Sequence, residues 1–409
     1  MQSIVLVSSG QPSANPRLVK EAVALNDDGY NVTVIYVPIS PWADEFDEEL
    51  FRTHPTIKFI QAGYHIESQR WSYKWSRFRR KLLVALYKIT GDKFNIADYS
   101  TALFGQELLK EAIKQKADLY VAHNLAALPA AVKAARLNAA KVGFDAEDFH
   151  REEFNSSGVE KTLTIQIENK YFPHLDYLSV ASPLIGKAYA EIFPELNPLI
   201  INNVFSAKVN PPIASNGSST LRLFWFSQSI GRGRGIETII KAMGILNDVS
   251  ISLTLLGNIS AEMKSYLLKI ADEAAAPSSY ITFNPPVAEA EIFKIASQHD
   301  IGVGGEIPSC LNREFCLTNK IFTYLLAGNA LVLSDTQAQK KFLEDYPAVG
   351  SIFRSEEPES LAYVLRQYAN EPDLLVTHRM NAREIALNEL NWEKEKEKFI
   401  DKVVSVLSK

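Results

Sequence analysis

LRLFWFSQSIGRGRGIETIIKAM, residues 221 to 243, decides the fold. An apolar, aromatic-rich run leads into a turn of alternating Gly and Arg, and the turn runs directly into a helical pattern. This is the strand, loop and helix of a βα unit. Gly231, Gly233 and Gly235 let the backbone approach a ligand closely, and Arg232 and Arg234 at a helix N-terminus suit a diphosphate. The spacing is neither the G-x-G-x-x-G dinucleotide fingerprint nor a P-loop. A tight solvated turn carrying surface arginines is the competing structural reading.

The unit starts just after NPPIASNGSS at 210 to 219, which has the Pro, Ser, Asn and Gly of a linker. Upstream, IVLV at 4, NVTVIYV at 31, IKFIQAG at 57, DLYVAHN at 118, KVGFDAED at 141, DYLSVAS at 176 and PLIINNV at 198 alternate with helical patterns. Downstream the rhythm restarts with LRLFWFS, ISLTLLG, YITFNPP, DIGVGG, ALVLSD and VGSIF. Strands separated by amphipathic helices imply parallel sheets, so the fold class is α/β with two Rossmann-like domains facing across a cleft. The expected division is 1–210, 211–385 and a charged C-terminal helix over 386–409 that caps or bridges the domains. Functional residues belong just beyond the carboxyl ends of the strands.

Composition narrows the class further. A chain of 409 residues with 46% hydrophobic and 22% charged residues buries sizeable cores and is not a disordered or fibrous one. A net charge of -5 argues against a general nucleic-acid binder. Cys310 and Cys316 are too few for a disulfide framework, and five intervening residues is not a zinc spacing. A reducing cytoplasm fits them. The N-terminus shows no basic head or cleavage site, and no uncharged apolar stretch reaches the roughly 20 residues of a membrane span.

Several polar clusters sit at strand ends. LNREFCLTNK at 311 to 320 precedes the short apolar helix IFTYLLAG. Asn319 and Lys320 can donate to phosphate or ribose oxygens, and Arg313 and Glu314 can reach sugar hydroxyls; an ordinary cap by Thr318 or Asn319 explains the same residues. Ser13, Asn15 and Arg17 lie in the loop after the first strand. His123, Asn124, Asp145, Glu147, Asp148 and His150 end two central strands. SQRWSYKWSRFRRKLLVALYKIT at 68 to 90 carries seven basic residues and no acidic one. Its Trp71, Trp75, Phe78, Leu82, Leu86 and Ile89 share one helical face, which suits an anionic membrane interface or, equally, the core.

Together these segments resemble the GT-B glycosyltransferases and, within them, the retaining family 4 enzymes. QPSANPRLVKEAVALNDDGYNVTVI is similar to the family's opening loop and helix. FSQSIGRGRGIETIIKAM is similar to its phosphate-binding segment, with Arg234 as the basic residue, and LTNKIFTYLLAGNALVLSD to its donor-binding helix. DLYVAHNLAALPAA and YLSVASPLIGKAYAEIFP are similar to further family segments, and His123 matches an Ala-His motif. Two departures stand out. Phe315 and Thr323 occupy the positions of the family's paired glutamates, while Glu306 and Glu314 have the pair's interval but sit nine residues too early. Glu147 stands where many relatives have His.

The resemblance implies transfer of a glycosyl unit from a nucleotide sugar, UDP- or GDP-linked, to an acceptor hydroxyl with retention. It implies no metal and no further cofactor. Its catalytic candidates are His123, Arg234 and Lys320. Gly231, Arg232, Asn312, Arg313, Glu314, Leu317, Asn319 and Thr323 join Arg234 and Lys320 on the donor, with a carbohydrate or lipid-linked acceptor near Ser13, Asn15, Arg17, Asp145 and Glu147. A relative that binds nucleotide sugars without transferring them, and a sugar-nucleotide epimerase, stay open beside it. The expected location is the cytoplasm or the inner membrane face.

Overall fold

The computed structural model describes residues 1–154, 158–213 and 220–408. Contacts divide the chain into two compact units, Met1–Ile201 with Lys396–Lys409, and Asn202–Glu395. The division falls at 201/202, ahead of the linker-like stretch, whose residues 214–219 lie outside the described ones.

The first unit is built on a seven-stranded sheet of β1 (Ser3–Ser8), β2 (Asn31–Tyr36), β3 (Lys58–Gln61), β4 (Leu119–His123), β5 (Lys141–Ala146), β6 (Tyr177–Val180) and β7 (Leu199–Ile200), in the order β3-β2-β1-β4-β5-β6-β7. Every pairing is parallel. β4 is buried along its whole length, as a central strand covered on both faces must be. The first crossover helix, Pro16–Asp27, starts where the sequence supplies a cap: Asn15 accepts from the Leu18 N–H at 3.0 Å, and Pro16 takes the first position, where no N–H partner is needed.

The second unit carries β8 (Leu221–Ser229), β9 (Ile251–Asn258), β10 (Ile281–Asn284), β11 (Ile301–Gly304), β12 (Ala330–Ser334) and β13 (Gly350–Phe353), ordered β10-β9-β8-β11-β12-β13 and again all parallel. Leu223 and Trp225 of β8 pack with Ile236, Ile239 and Ile240 of the following helix in one core. Both halves of the stretch at 221 to 243 are therefore buried together.

The C-terminal charged region is two helices, Pro372–Asn388 and Trp392–Leu407, in place of one beginning at 386. Asn391 accepts from the Lys394 N–H at 3.1 Å and so starts the second helix as its cap. From Lys396 onward the chain groups with the first unit.

Candidate functional site

In each sheet the strand order reverses direction at one place, and in open sheets of this kind ligands bind there, beyond the carboxyl ends of the strands. In the second unit that place is the β8–β11 pair. The loop leaving β8 turns back at Gly235, whose φ is 77°, and a Cβ added there would lie 2.0 Å from the Gly305 carbonyl oxygen. Only a glycine lets this loop lie backbone to backbone on the end of β11.

That contact brings together charges far apart in sequence. Glu306, immediately beyond β11, is buried and accepts from Lys320 Nζ at 2.5 Å and from Arg313 Nη1 at 3.1 Å. Burial works against its ionisation, but Lys320, then Arg313 and Arg234, hold its carboxyl below the usual range. Its carbonyl accepts from Ser334 Oγ at 2.7 Å and Ser355 Oγ at 3.1 Å, which fixes the loop. Lys320 Nζ also lies 5.4 Å from the ring centre of Trp225. Arg234 Nη1 donates to Ser227 Oγ at 2.8 Å. Three cations thus surround one carboxylate, leaving a net positive corner beside two helix N-termini.

The remaining donor candidates are placed as follows. Arg232 stacks over Tyr266, 3.8 Å from its ring centre, and Gly231 has open space around it. Asn319 is exposed as the first residue of the helix Asn319–Ala327. Thr323 donates to the Asn319 carbonyl at 3.0 Å, so its hydrogen is committed within the helix. Glu314 accepts from the Gln337 N–H at 2.9 Å and so caps the helix Gln337–Asp345. Asn312 and Leu317 are buried, and Phe315 is half-buried. Glu306 has no place in the aligned motif, yet it is the centre of this cluster.

In the first unit the reversal lies between β1 and β4. Arg17 is fully enclosed and grips Asp145 with two bonds of 2.5 and 2.6 Å, while its third nitrogen donates to the Ile201 carbonyl. Ser179 Oγ adds a bond to Asp145 at 2.7 Å. Burial opposes ionisation of Asp145, but the guanidinium outweighs it and keeps the carboxyl low. His123 has no exposed surface; its Nε2 lies 3.2 Å from Glu21 and its Nδ1 3.6 Å from Asp145. Burial disfavours the charged imidazole, yet Glu21 and then Asp145 raise its pKa. His123 therefore sits enclosed between these carboxylates.

Glu147, at the edge of this network, accepts from Asn15 Nδ2 at 2.6 Å, and burial followed by repulsion from Asp145 pushes its carboxyl up to about 6. Ser13 Oγ donates to the Ala43 carbonyl at 3.2 Å, and its N–H donates to Asp47 at 2.9 Å. His123, Asp145 and Glu147 offer ligand atoms within 4.8 Å of one another, a spacing a metal ion would tolerate. Arg17 already supplies the positive charge there and occupies both Asp145 oxygens.

No protein-family model matches the chain, and no curated protein matches it. Its fold is that of solved glycosyltransferase structures. Anabaena HepE, solved in complex with UDP and with UDP-glucose, superposes with a TM-score of 0.71 at 14% identity, over 99% of this chain and 100% of that one. Sucrose-phosphate synthase from Thermosynechococcus elongatus gives 0.70 at 14% over all of both chains. A glycosyltransferase from Rickettsia africae gives 0.69 at 12%, over 99% of this chain and 98% of that one. At such identities the likeness establishes the two-sheet α/β architecture.

Proposed function

We propose that the protein is a glycosyltransferase that moves a sugar from a UDP- or GDP-linked donor to an acceptor hydroxyl with retention, in polysaccharide or glycolipid synthesis. The convergence of Arg234, Lys320 and Arg313 at the carboxyl end of the β8–β11 pair carries this reading. As the glycosyl bond breaks, negative charge grows on the departing diphosphate. Arg234, held by half-buried Ser227, and Lys320, held by buried Glu306, are in place before any ligand arrives and stabilise that charge without reorganising. Glu306 keeps both Lys320 and Arg313 oriented, and with a diphosphate bound it leaves the corner close to neutral. These cations take the part a divalent ion would play, so we assign the reaction no metal. In the first unit the acceptor meets Asn15 and Glu147, whose raised pKa suits exchange of a proton with a hydroxyl.

The fold match to HepE, solved with UDP-glucose, supports the donor class. The test is thermal unfolding with UDP, GDP, ADP and their sugar conjugates, run beside product formation for wild type and Arg234→Ala. One nucleotide series should raise the unfolding temperature, because a ligand of the folded state stabilises it. Arg234→Ala should lower turnover by about 10²–10³-fold, and EDTA should leave turnover unchanged. Stabilisation without turnover toward any acceptor would favour the non-transferring reading, which the committed hydroxyl of Thr323 motivates. A loss on chelation that Mg²⁺ restores would overturn the metal-free assignment.

A further inference from the structure

The helix Arg70–Thr90 presents three distinct faces. Its inner face is packed: Ser76 and Tyr87 are buried, Tyr73 stacks on Phe104 at 5.9 Å, Arg80 donates to the Ser100 carbonyl at 2.9 Å, and Arg79 pairs with Glu107 at 2.8 Å. The aromatic stripe is not on that face. Trp71 is 84% exposed, Trp75 62% and Ile89 83%, with Phe78, Leu82 and Leu86 exposed between them. At helical geometry these six fall within about 80° of arc and run for about 27 Å. Just beyond the helix, Phe94 is 89% exposed with a φ of 62°, an aromatic held in solvent on a backbone conformation that side chains of its size avoid.

The third face is a row of cations beside the stripe: Arg70, Lys74, Arg77, Lys81 and Lys88. Among the described residues none of them forms an ion pair, and Lys74 Nζ lies over the Trp71 ring at 5.4 Å. The chain's net charge is -5, so this unneutralised row runs against the overall balance.

We propose that this helix seats the protein on an anionic lipid surface, lying along it. The six apolar side chains enter the acyl boundary, and the five cations meet lipid phosphates along one edge, their aliphatic stems following the apolar stripe. Among the described residues no helix is long and apolar enough to cross a membrane, so contact lies in the plane. A second copy of the chain is a poorer occupant, since a twofold pairing through this face brings two like-charged rows together. A flat array of phosphates matches the row over its whole length.

The experiment is co-sedimentation of the full chain with phosphatidylcholine vesicles, with and without phosphatidylglycerol, at low and high salt. Binding should require the anionic lipid and fall with salt. Arg70→Gln with Lys74→Gln and Arg77→Gln should weaken it on the order of 100-fold, and Trp71→Ser with Trp75→Ser by at least about tenfold. All five positions are exposed, and an unchanged unfolding temperature for each variant ties any loss to the surface rather than to folding. Absence of binding to anionic vesicles at low salt overturns the proposal. So does binding that the variants leave intact, or a dimer in solution that the Trp71/Trp75 variant dissociates while vesicles go unbound.

Discussion

His150 is a buried imidazole bonded to Glu153 at 2.6 Å, and its state sets a pH dependence. Burial resists the charge, but Glu153, with Asp148 and Glu168 further off, raises its pKa to about 9. An unfolded chain binds that proton less tightly, near the ordinary value of about 6.5. The pair's contribution is therefore fully present below about 6.5 and is lost as pH rises through 9. Urea unfolding should show wild type losing more stability between those limits than Glu153→Gln, and the His150 resonance should titrate near 9 only in wild type. Equal pH slopes would remove the pair from the account. Charge clusters of this kind were only half legible in the sequence. Arg234, Arg313 and Lys320 announce themselves beside glycines and helix starts. Glu306 does not, because its partner Lys320 is fourteen residues away and its neighbour Arg234 reaches it only through the β8–β11 pairing. The one local signal was its place directly after a strand. Likewise nothing in Arg17 or Asp145 alone foretells that they saturate one another.

At the scale of elements, the Gly-rich loop separates two uses of glycine. Gly233 has a φ of 69° but open space around its Cα, so Gly233→Ala should cost only the left-handed penalty of about 1–2 kcal/mol. Gly235 has both a φ of 77° and the Gly305 carbonyl where a methyl would go. Gly235→Ala must push the loop off β11, so its loss should exceed that of Gly233→Ala and should include nucleotide-induced stabilisation, which Gly233→Ala should retain. Parallel unfolding curves of the two variants, with and without nucleotide, check this; equal losses would mean the loop tolerates displacement. Among the described residues the central strands β1, β4, β5 and β12 were legible because parallel strands covered on both faces read as unbroken apolar runs, whereas the edge strands β3 and β13 are largely uncovered and were legible from the alternation with helices. β7 is the weakest of them, with two residues in the sheet where the sequence offers seven. The apolar stripe at 68 to 90 was legible as a helix face but not as an exposed one. Periodicity reports a face, and only the tertiary packing of Tyr73, Ser76 and Tyr87 reveals that another face is the buried one.

At the scale of the whole molecule, all but the first turn of the chain's last helix groups with its first half. Phe399, Val403 and Val406 are buried, and from Lys396 onward their contacts group with Met1–Ile201. Burying three such side chains contributes about 5–9 kcal/mol in all. That is comparable with the roughly 5–15 kcal/mol by which a domain is stable. The ion pair of Lys396 with Asp27 at 3.6 Å is partly solvated and adds little. A chain ending at Glu395 should therefore lose hydrogen-exchange protection in β1 to β6, whereas β8, β9, β11 and β12 keep theirs, because the core of Leu223, Trp225 and Ile239 contains none of the deleted residues. Exchange followed by mass spectrometry reads the two sheets separately. Uniform loss across both would mean that they unfold as one cooperative body, and undiminished protection in β1 to β6 would mean that the apolar face of the last helix contributes nothing to the first unit. The expected outcome, one sheet loosened and the other intact, makes the C-terminal segment a long-range closing element whose partners lie some two hundred residues or more before it in the chain.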